Sequence, residues 1–270
     1  MGKSYSNKTI YSVLMLVCVV GFWAFENFYT PDNYSAKDSE GLKTEAPNYL
    51  LPSSTTGDIV EHSYYSLSYN ETYEQAEWVA YALDKKHLTS DDRKRPYFIE
   101  DPKVRTKSAD WRNYKRSGYD RGHLCPAGDR RFSKQAYDET FYTSNISPQN
   151  RDFNAGVWNR LENKTRYWTK KYGSIFVITG GILERGLNEI GDEDVAVPNY
   201  FYKIIAKGNK DNLKVVGFIM ENKESSAPLK EFLVPIDVIE KKTGIDFFSQ
   251  LSKENQSKIE SKISLNDWKF

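Results

Sequence analysis

The chain has 270 residues, of which 39% are hydrophobic and 28% charged, and its formal net charge is +1. This composition is typical of a folded globular protein and excludes an intrinsically disordered chain. The near-zero net charge excludes binding to polyanions through overall basicity. With only two cysteines and three histidines, the sequence predicts neither a structural disulfide nor a zinc centre with several histidine ligands.

The N-terminal segment is the most apolar part of the chain. Residues 9–25 carry no charge and follow Lys3 and Lys8, and a run of this length is just long enough to span a bilayer. No small-residue cleavage site follows, so we predict a signal anchor over residues 1–25, with a cleaved signal peptide as the alternative. The basic residues before the run predict an exported protein. It would be membrane-anchored through residues 9–25 with its domain in the periplasm or at the cell surface, or secreted if cleaved.

Residues 26–57 are rich in Pro, Ser, Thr, Asn and Asp and show no sustained periodicity. Such a composition indicates a flexible tether. We therefore predict one domain over residues 58–270, with no internal repeat.

Within this domain, alternating apolar residues predict strands at 65–69 and 78–82. Residues 87–118 are basic and irregular, and 141–143 is a short strand candidate. Residues 154–172 form the strongest amphipathic helix pattern, which Gly173 ends. The remaining predicted elements are strands at 174–179, 200–206 and 213–220 and helices at 235–242 and 249–262. Strands with segregated helices predict an α+β fold with a mixed or antiparallel sheet flanked by helices.

The charge is unevenly distributed along the chain. Residues 85–134 contain 15 Lys and Arg against 7 Asp and Glu. A basic region in an otherwise neutral chain favours a polyanion bound at one face, although a solvated charged surface would give the same count.

Two stretches hold the residues best suited to phosphodiester chemistry. The first is 120–123, which ends at His123, a side chain whose ordinary pKa suits a general base. The second runs from 144 to 166 and contains Asn154, Glu162 and Arg166. The oxygens of Asn154 and Glu162 suit a hydrated Mg²⁺ ion, although Asn is also favoured as a helix N-cap. Arginines such as Arg166 and Arg95 can hold a phosphate through two hydrogen bonds.

These motifs resemble the DNA/RNA non-specific endonuclease family, and within it the mitochondrial endonuclease G branch and its bacterial relatives. The resemblance rests on DRGH at 120–123 with Pro126, SNISPQ at 144–149, Asn154, and W-x-x-L-E at 158–162. Further similarity covers about residues 60–248, including R-x-x-F-x-E-D at 95–101 and the V-x-T-G strand at 177–180. Phe141 stands where some secreted bacterial members carry an additional Asn.

The resemblance implies a ββα-metal fold and a metal-dependent enzyme without a small-molecule cofactor. His123 would be the general base, Asn154 would bind Mg²⁺ or alternatively Mn²⁺ directly, and Glu162 would hold the ion through water. The remaining site residues would contact phosphate, hydrogen-bond near the scissile group or support the site: Arg95, Arg121, Arg166, Asn145 and Asp120. The substrates would be DNA and RNA, cleaved to 5′-phosphate and 3′-hydroxyl ends. The family contains monomers and homodimers.

Two other functions stay open at this point. One is a catalytically idle surface protein that binds nucleic acid, for example in DNA uptake, which would not need His123, Asn154 and Glu162 together. The other is a metal-dependent phosphodiesterase acting on nucleotides or phospholipid headgroups. The basic region before the site favours a long polyanion over such small substrates.

Overall fold

The computed structural model describes residues 7–29 and 47–270. The chain divides into two compact units, Met1–Asp32 and Asn33–Phe270. Most of the predicted tether, residues 30–46, lies outside the described residues.

The N-terminal unit contains helix α1, Asn7–Phe28. Its segment Asn7–Phe25 has a mean hydropathy of 1.8 and no buried residues. The predicted apolar N-terminal helix is therefore present. By length and composition it could cross a membrane, but signal sequences have the same properties.

The larger unit is built on strands in antiparallel pairs. The described strands are β1 Ile59–Glu61, β2 Ser66–Asn70, β3 Gln75–Asp84, β4 Asp120–His123, β5 Ile146–Gln149, β6 Ser174–Gly181, β7 Asn188–Ile190, β8 Val195–Val197, β9 Tyr200–Lys207, β10 Lys214–Glu221 and β11 Leu233–Val234. Seven of them form one sheet in the order β1-β2-β3-β6-β9-β10-β11, while β4 pairs with β5 and β7 with β8.

The helices of this unit lie on the flanks of the sheet. They are α2 Lys134–Glu139, α3 Arg151–Phe153, α4 Asn159–Tyr172, α5 Ile236–Thr243 and α6 Lys253–Glu260. One π-helical turn, Asn154–Trp158, joins α3 to α4. The predicted α+β fold with an antiparallel sheet and flanking helices is confirmed.

The central sheet is buried on both faces, because β3 alternates between two hydrophobic clusters. Val79 and Tyr81 belong to the cluster that includes Trp158 and Trp168 of the π-turn and α4. Trp78 and Ala80 point to the other face. That second cluster includes Ile236 and Ile239 of α5. Helices α4 and α5 therefore cover opposite faces of one sheet.

A ββα unit made of β4, β5 and the helical segment after it carries the predicted site residues. Asp120 pairs with Gln149 and His123 with Ile146 in the β4–β5 ladder. Gly122 faces the Gln149 side chain so closely that a Cβ atom would lie 2.2 Å from it. A larger residue at position 122 would have to displace the buried Gln149 side chain, so packing favours the glycine of DRGH.

The predicted strands at 65–69, 78–82, 174–179, 200–206 and 213–220 are all confirmed. The candidate at 141–143 is wrong, because Tyr142 makes only an isolated bridge to Ile99. The strand begins at Ile146 instead. Its partner β4 was not predicted, since the four residues of DRGH carry no apolar alternation.

Candidate active site

His123 closes strand β4 at the edge of an aromatic pocket. Its ring lies 5.6 Å from the Phe98 ring and meets the Phe141 ring edge-on at 5.0 Å, centroid to centroid. Its Nε2 atom is buried without a hydrogen-bond partner among the described residues. Burial, reinforced by the guanidiniums of Arg95 and Arg121, lowers the pKa of His123 to about 3. The imidazole is therefore neutral at pH 7 and able to accept a proton.

The loop after His123 is fixed by Asn145, which is fully buried. Its Oδ1 accepts from the Cys125 N–H at 2.8 Å. Its Nδ2 donates to the carbonyls of Cys125 at 3.0 Å and Thr140 at 2.9 Å. The whole carboxamide is thus used within the protein. Asn145 therefore holds the loop that follows His123.

Asp120, at the start of β4, orients the Asn154 side chain. Asn154 Nδ2 donates to Asp120 Oδ2 at 3.1 Å, and the Asn154 Oδ1 accepts no hydrogen bond within the described chain. The helix N-cap is Asn150, whose Oδ1 accepts from the N–H groups of Asp152 and Phe153. The alternative in which Asn154 is the cap is therefore wrong, and its carboxamide oxygen stays available as a ligand.

The predicted helix at 154–172 begins earlier and is interrupted. It starts at Arg151, and the π-turn Asn154–Trp158 contains Gly156 with a non-helical backbone (φ −97°, ψ −107°). A π-turn adds a residue to the helical turn, so the angles between Asn154 and the residues of α4 differ from those of a regular α-helix. Such turns occur frequently at functional sites.

Glu162 and Arg166 lie one turn apart on α4, as their spacing predicted. Arg166 Nη2 is 3.3 Å from Glu162 Oε2, and its Nε donates to Asp129 Oδ1 at 2.5 Å. Asp129 is only 1% exposed. Arg166 therefore has two carboxylate partners within the protein. It fixes the Glu162 side chain, and little of its hydrogen-bonding capacity is left for a substrate.

Lys203 lies beneath this ion-pair cluster and was not predicted to belong to the site. Its side chain is fully buried on β9, with Nζ 4.5 Å from the centre of the Trp158 ring and no hydrogen-bond partner among the described residues. Burial lowers the pKa of Lys203 to about 8. Burial likewise raises the pKa of Glu162 to about 7, while Arg166 and Lys203 oppose that rise. The sequence offered one sign that Lys203 is unusual, because this lysine lies within the otherwise apolar strand 200–207.

Arg95 and Arg121 flank the aromatic pocket of His123. Their guanidinium carbons lie 5.1 Å and 4.7 Å from the centre of the Phe98 ring. In the described parts of the chain neither is in a salt bridge, whereas Arg166 is. Burial and the nearby Arg95 charge lower the pKa of Arg121. Two unpaired guanidiniums beside a neutral imidazole form a site for an anion such as a phosphate.

The oxygen donors in this region fit a hard divalent cation. The Asn154 carboxamide oxygen is free, and Glu162 is a largely buried carboxylate with 14% of its side chain exposed. Mg²⁺ prefers such oxygen ligands and keeps several of its waters, so two protein donors suffice. Asp120 and Asp129 add negative charge close by. The predicted site residues thus fall into an anion-binding part and a cation-binding part, with Asn145 outside both.

Comparisons with known proteins found related sequences and a related fold. The model of the DNA/RNA non-specific endonuclease family matches residues 43–254. The chain is 37% identical to "Nuclease EXOG, mitochondrial" of Danio rerio over 72% of its own length and 61% of the relative's. It is 35% identical to "Endonuclease G, mitochondrial" of Homo sapiens over 75% of this chain and 73% of the relative.

The crystal structure of the EndoG/EndoGI complex, in which EndoG is inhibited, superposes on this chain with a TM-score of 0.67. It is 34% identical in sequence, and the match covers 73% of this chain and 87% of that chain. The chain spans only about six-tenths of the length of some curated relatives, 61% for the Danio rerio protein and 58% for its Xenopus laevis counterpart.

These comparisons contradict the predicted export. Relatives from Danio rerio, Schizosaccharomyces pombe, Saccharomyces cerevisiae and Homo sapiens are all named as mitochondrial. The prediction of an anchored periplasmic or surface protein, or of a secreted one, is therefore wrong. The length and hydropathy of residues 9–25 indicate only that the segment can enter a bilayer. They carry no information about which cellular membrane it enters, and the prediction of export failed for this reason.

Proposed function

The chain belongs to the DNA/RNA non-specific endonuclease family, and from this premise we propose that it is a metal-dependent nuclease that hydrolyses DNA and RNA to 5′-phosphate ends. The observation that carries the proposal is the neutral His123 beside two unpaired guanidiniums, on the strand whose first residue, Asp120, fixes the Asn154 carboxamide. An idle nucleic-acid binder does not need this set of groups, and a phosphodiesterase for small substrates does not need the basic region at residues 85–134.

In the proposed reaction, Arg95 and Arg121 bind the non-bridging oxygens of the scissile phosphate. His123 takes a proton from the attacking water, because its imidazole is neutral at pH 7 and its buried Nε2 atom has no hydrogen-bond partner among the described residues. Asn154 would hold a divalent cation directly, Mg²⁺ or alternatively Mn²⁺, and Glu162 would hold it through water. When bound, that ion would neutralise charge on the phosphate and stabilise the departing 3′ oxygen. Contacts to phosphates carry no sequence information, which accounts for cleavage without sequence preference.

The test is cleavage of supercoiled plasmid and of single-stranded RNA by the full-length chain in mild detergent. We expect both substrates to be cut with Mg²⁺ and neither to be cut with excess chelator. Product ends are checked by ligation, which requires a 5′-phosphate. Intact plasmid and RNA after incubation with Mg²⁺ or Mn²⁺ would refute the nuclease proposal, whereas cutting in chelator would refute only the metal requirement.

Asp120→Asn is expected to raise the Mg²⁺ concentration needed for half-maximal plasmid cleavage about 10–100-fold, the usual effect of removing a group that orients a metal ligand. The reason is that the 3.1 Å hydrogen bond from Asn154 Nδ2 to Asp120 Oδ2 loses its charged acceptor, since a carboxamide oxygen accepts more weakly than a carboxylate. The rate at saturating Mg²⁺ should change little. The matched control is Asp192→Asn, an exposed residue far along the chain in a turn. Equal Mg²⁺ dependence of the two variants would contradict this role of Asp120.

The charge state of His123 can be measured directly by NMR. Burial and two neighbouring cations all disfavour the imidazolium, so His123 should stay neutral well below pH 6.5. Arg95→Gln removes one cation and should raise the pKa of His123. Titration of His123 near pH 6.5 in the unmodified chain, or no rise in the variant, would contradict this electrostatic account.

Location and assembly are further parts of the proposal. The names of the relatives support a mitochondrial location, and the apolar α1 supports attachment to a membrane there; fractionation of cells and alkaline extraction of the membranes test both.

An inhibitor protein and a homodimer are also compatible with the family. Light scattering of the purified chain decides between monomer and dimer.

A further inference from the structure

Three carboxylates converge on the sheet face opposite α4, apart from the candidate active site. Asp237 and Glu240 lie one turn apart on α5, and Glu260 is the last residue of α6. One ligand oxygen from each lies within 4.8 Å of the other two. Helices α5 and α6 pack against each other and against β10, so the cluster sits where the C-terminal helix meets the rest of the fold.

Glu260 is the most informative member of this group. It is 5% exposed, and its Oε1 is buried without a hydrogen-bond partner in the part of the chain that the structure describes. None of the three carboxylates is in an ion pair within the described residues. A buried carboxylate oxygen without a donor is costly, so this atom requires a cation or a proton.

The surroundings of Glu260 are acidic. Burial, followed by the charges of Glu240, Asp237 and Asp246, raises the pKa of Glu260 to about 8. Asp246 already accepts a hydrogen bond from Gln256, and Glu240 accepts one from the Phe247 N–H at 2.8 Å through Oε1. That bond leaves Glu240 Oε2 for a ligand, while it fixes the side chain in place.

We propose that Asp237, Glu240 and Glu260 form a binding site for a hard divalent cation of the Ca²⁺ type, which holds α6 against α5. Carboxylate oxygens are the preferred ligands of Ca²⁺, at about 2.3–2.6 Å from the ion. Oxygens within 4.8 Å of one another can all reach an ion of this size. Ca²⁺ tolerates the irregular geometry of three side chains from two helices better than Mg²⁺, which demands near-ideal octahedral coordination.

The test uses the full-length chain in mild detergent with Asn154→Ala, which removes the other proposed cation site. We expect Ca²⁺ to bind with a stoichiometry of one in calorimetry and to raise the Tm by several degrees, since binding to the folded state alone stabilises it. Adding Glu260→Gln should abolish both effects. The matched control Glu254→Gln, an exposed acid on the same helix, should leave both unchanged.

Two results would overturn the proposal. One is the absence of Ca²⁺ binding to the Asn154→Ala chain at millimolar concentration; the other is unchanged binding after Glu260→Gln, which would mean that a proton alone satisfies Glu260. If Glu260→Gln does not fold, Asp237→Asn, a substitution of an exposed residue, replaces it in the test. Asp237→Asn should weaken Ca²⁺ binding at least tenfold. An unchanged Ca²⁺ affinity of this variant would also contradict the proposed site. These outcomes do not depend on whether the chain cleaves nucleic acid.

Discussion

Replacing His123 with alanine is expected to lower kcat for plasmid cleavage by about 10²–10⁴-fold at pH 7, the usual contribution of a positioned general base. His123 is the titratable group that lies beside the unpaired Arg95 and Arg121, and its pKa is lowered to about 3. Initial nicking rates at saturating Mg²⁺ measure the effect. KM should change far less than kcat, because the guanidiniums that bind phosphate remain.

The fold should survive this substitution. The buried Nε2 of His123 has no hydrogen-bond partner among the described residues, so its removal breaks no hydrogen bond. The loss of the ring contacts with Phe98 and Phe141 should lower the Tm by only a few degrees. His123→Gln, which keeps much of the volume but cannot accept the proton, should be equally impaired. If either variant cuts at the unmodified rate while folded, His123 is not the base.

Asn154→Ala is expected to reduce the rate about 10³-fold at millimolar Mg²⁺, because several kcal/mol of charge stabilisation by the cation would be lost. The lost group is the carboxamide oxygen that accepts no hydrogen bond within the described chain. Higher Mg²⁺ concentrations should restore activity only in part. Asn154→Asp, which retains an oxygen donor, should keep more activity than Asn154→Ala.

The matched control for this prediction is Asn159→Ala, an exposed carboxamide only five residues further along the same helical segment. It should leave both the rate and the Mg²⁺ dependence unchanged. If Asn154→Ala and Asn159→Ala both cut at the rate of the unmodified chain, Asn154 is not a ligand. If both variants lose activity to the same extent, damage to the helix is the cause instead.

Much of the fold follows from local patterns in the sequence. Strands such as β3 and β9 are rich in apolar residues along nearly their whole length, because the central sheet is covered on both faces by apolar residues. Strand β4 carries no such pattern. Its conformation depends on pairing with β5 and on the contact of Gly122 with Gln149, which is a tertiary property that a four-residue stretch cannot reveal.

The candidate site residues were named from the sequence motifs, but the separate role of each residue was not. The sequence could not separate the roles of Arg95, Arg121 and Arg166, since all three are charged and near the motifs. The structure distinguishes them by their partners, because Arg166 is paired with Asp129 and Glu162 while the other two have no carboxylate partner in the described residues. Likewise, the π-turn changed the relation of Asn154 to α4, and no residue pattern indicated it.

The contacts of the site also bear on when during folding the chain becomes active. The hydrogen bonds that position its groups join residues far apart in sequence: 20 residues for Asn145 and Cys125, 34 for Asn154 and Asp120, and 37 for Arg166 and Asp129. Contacts of this range form only after the intervening loops have closed. A chain not yet synthesised past residue 166, or one threaded unfolded across a membrane, therefore cannot assemble these contacts. With the proposed nuclease function, such a chain would be inactive toward nucleic acid.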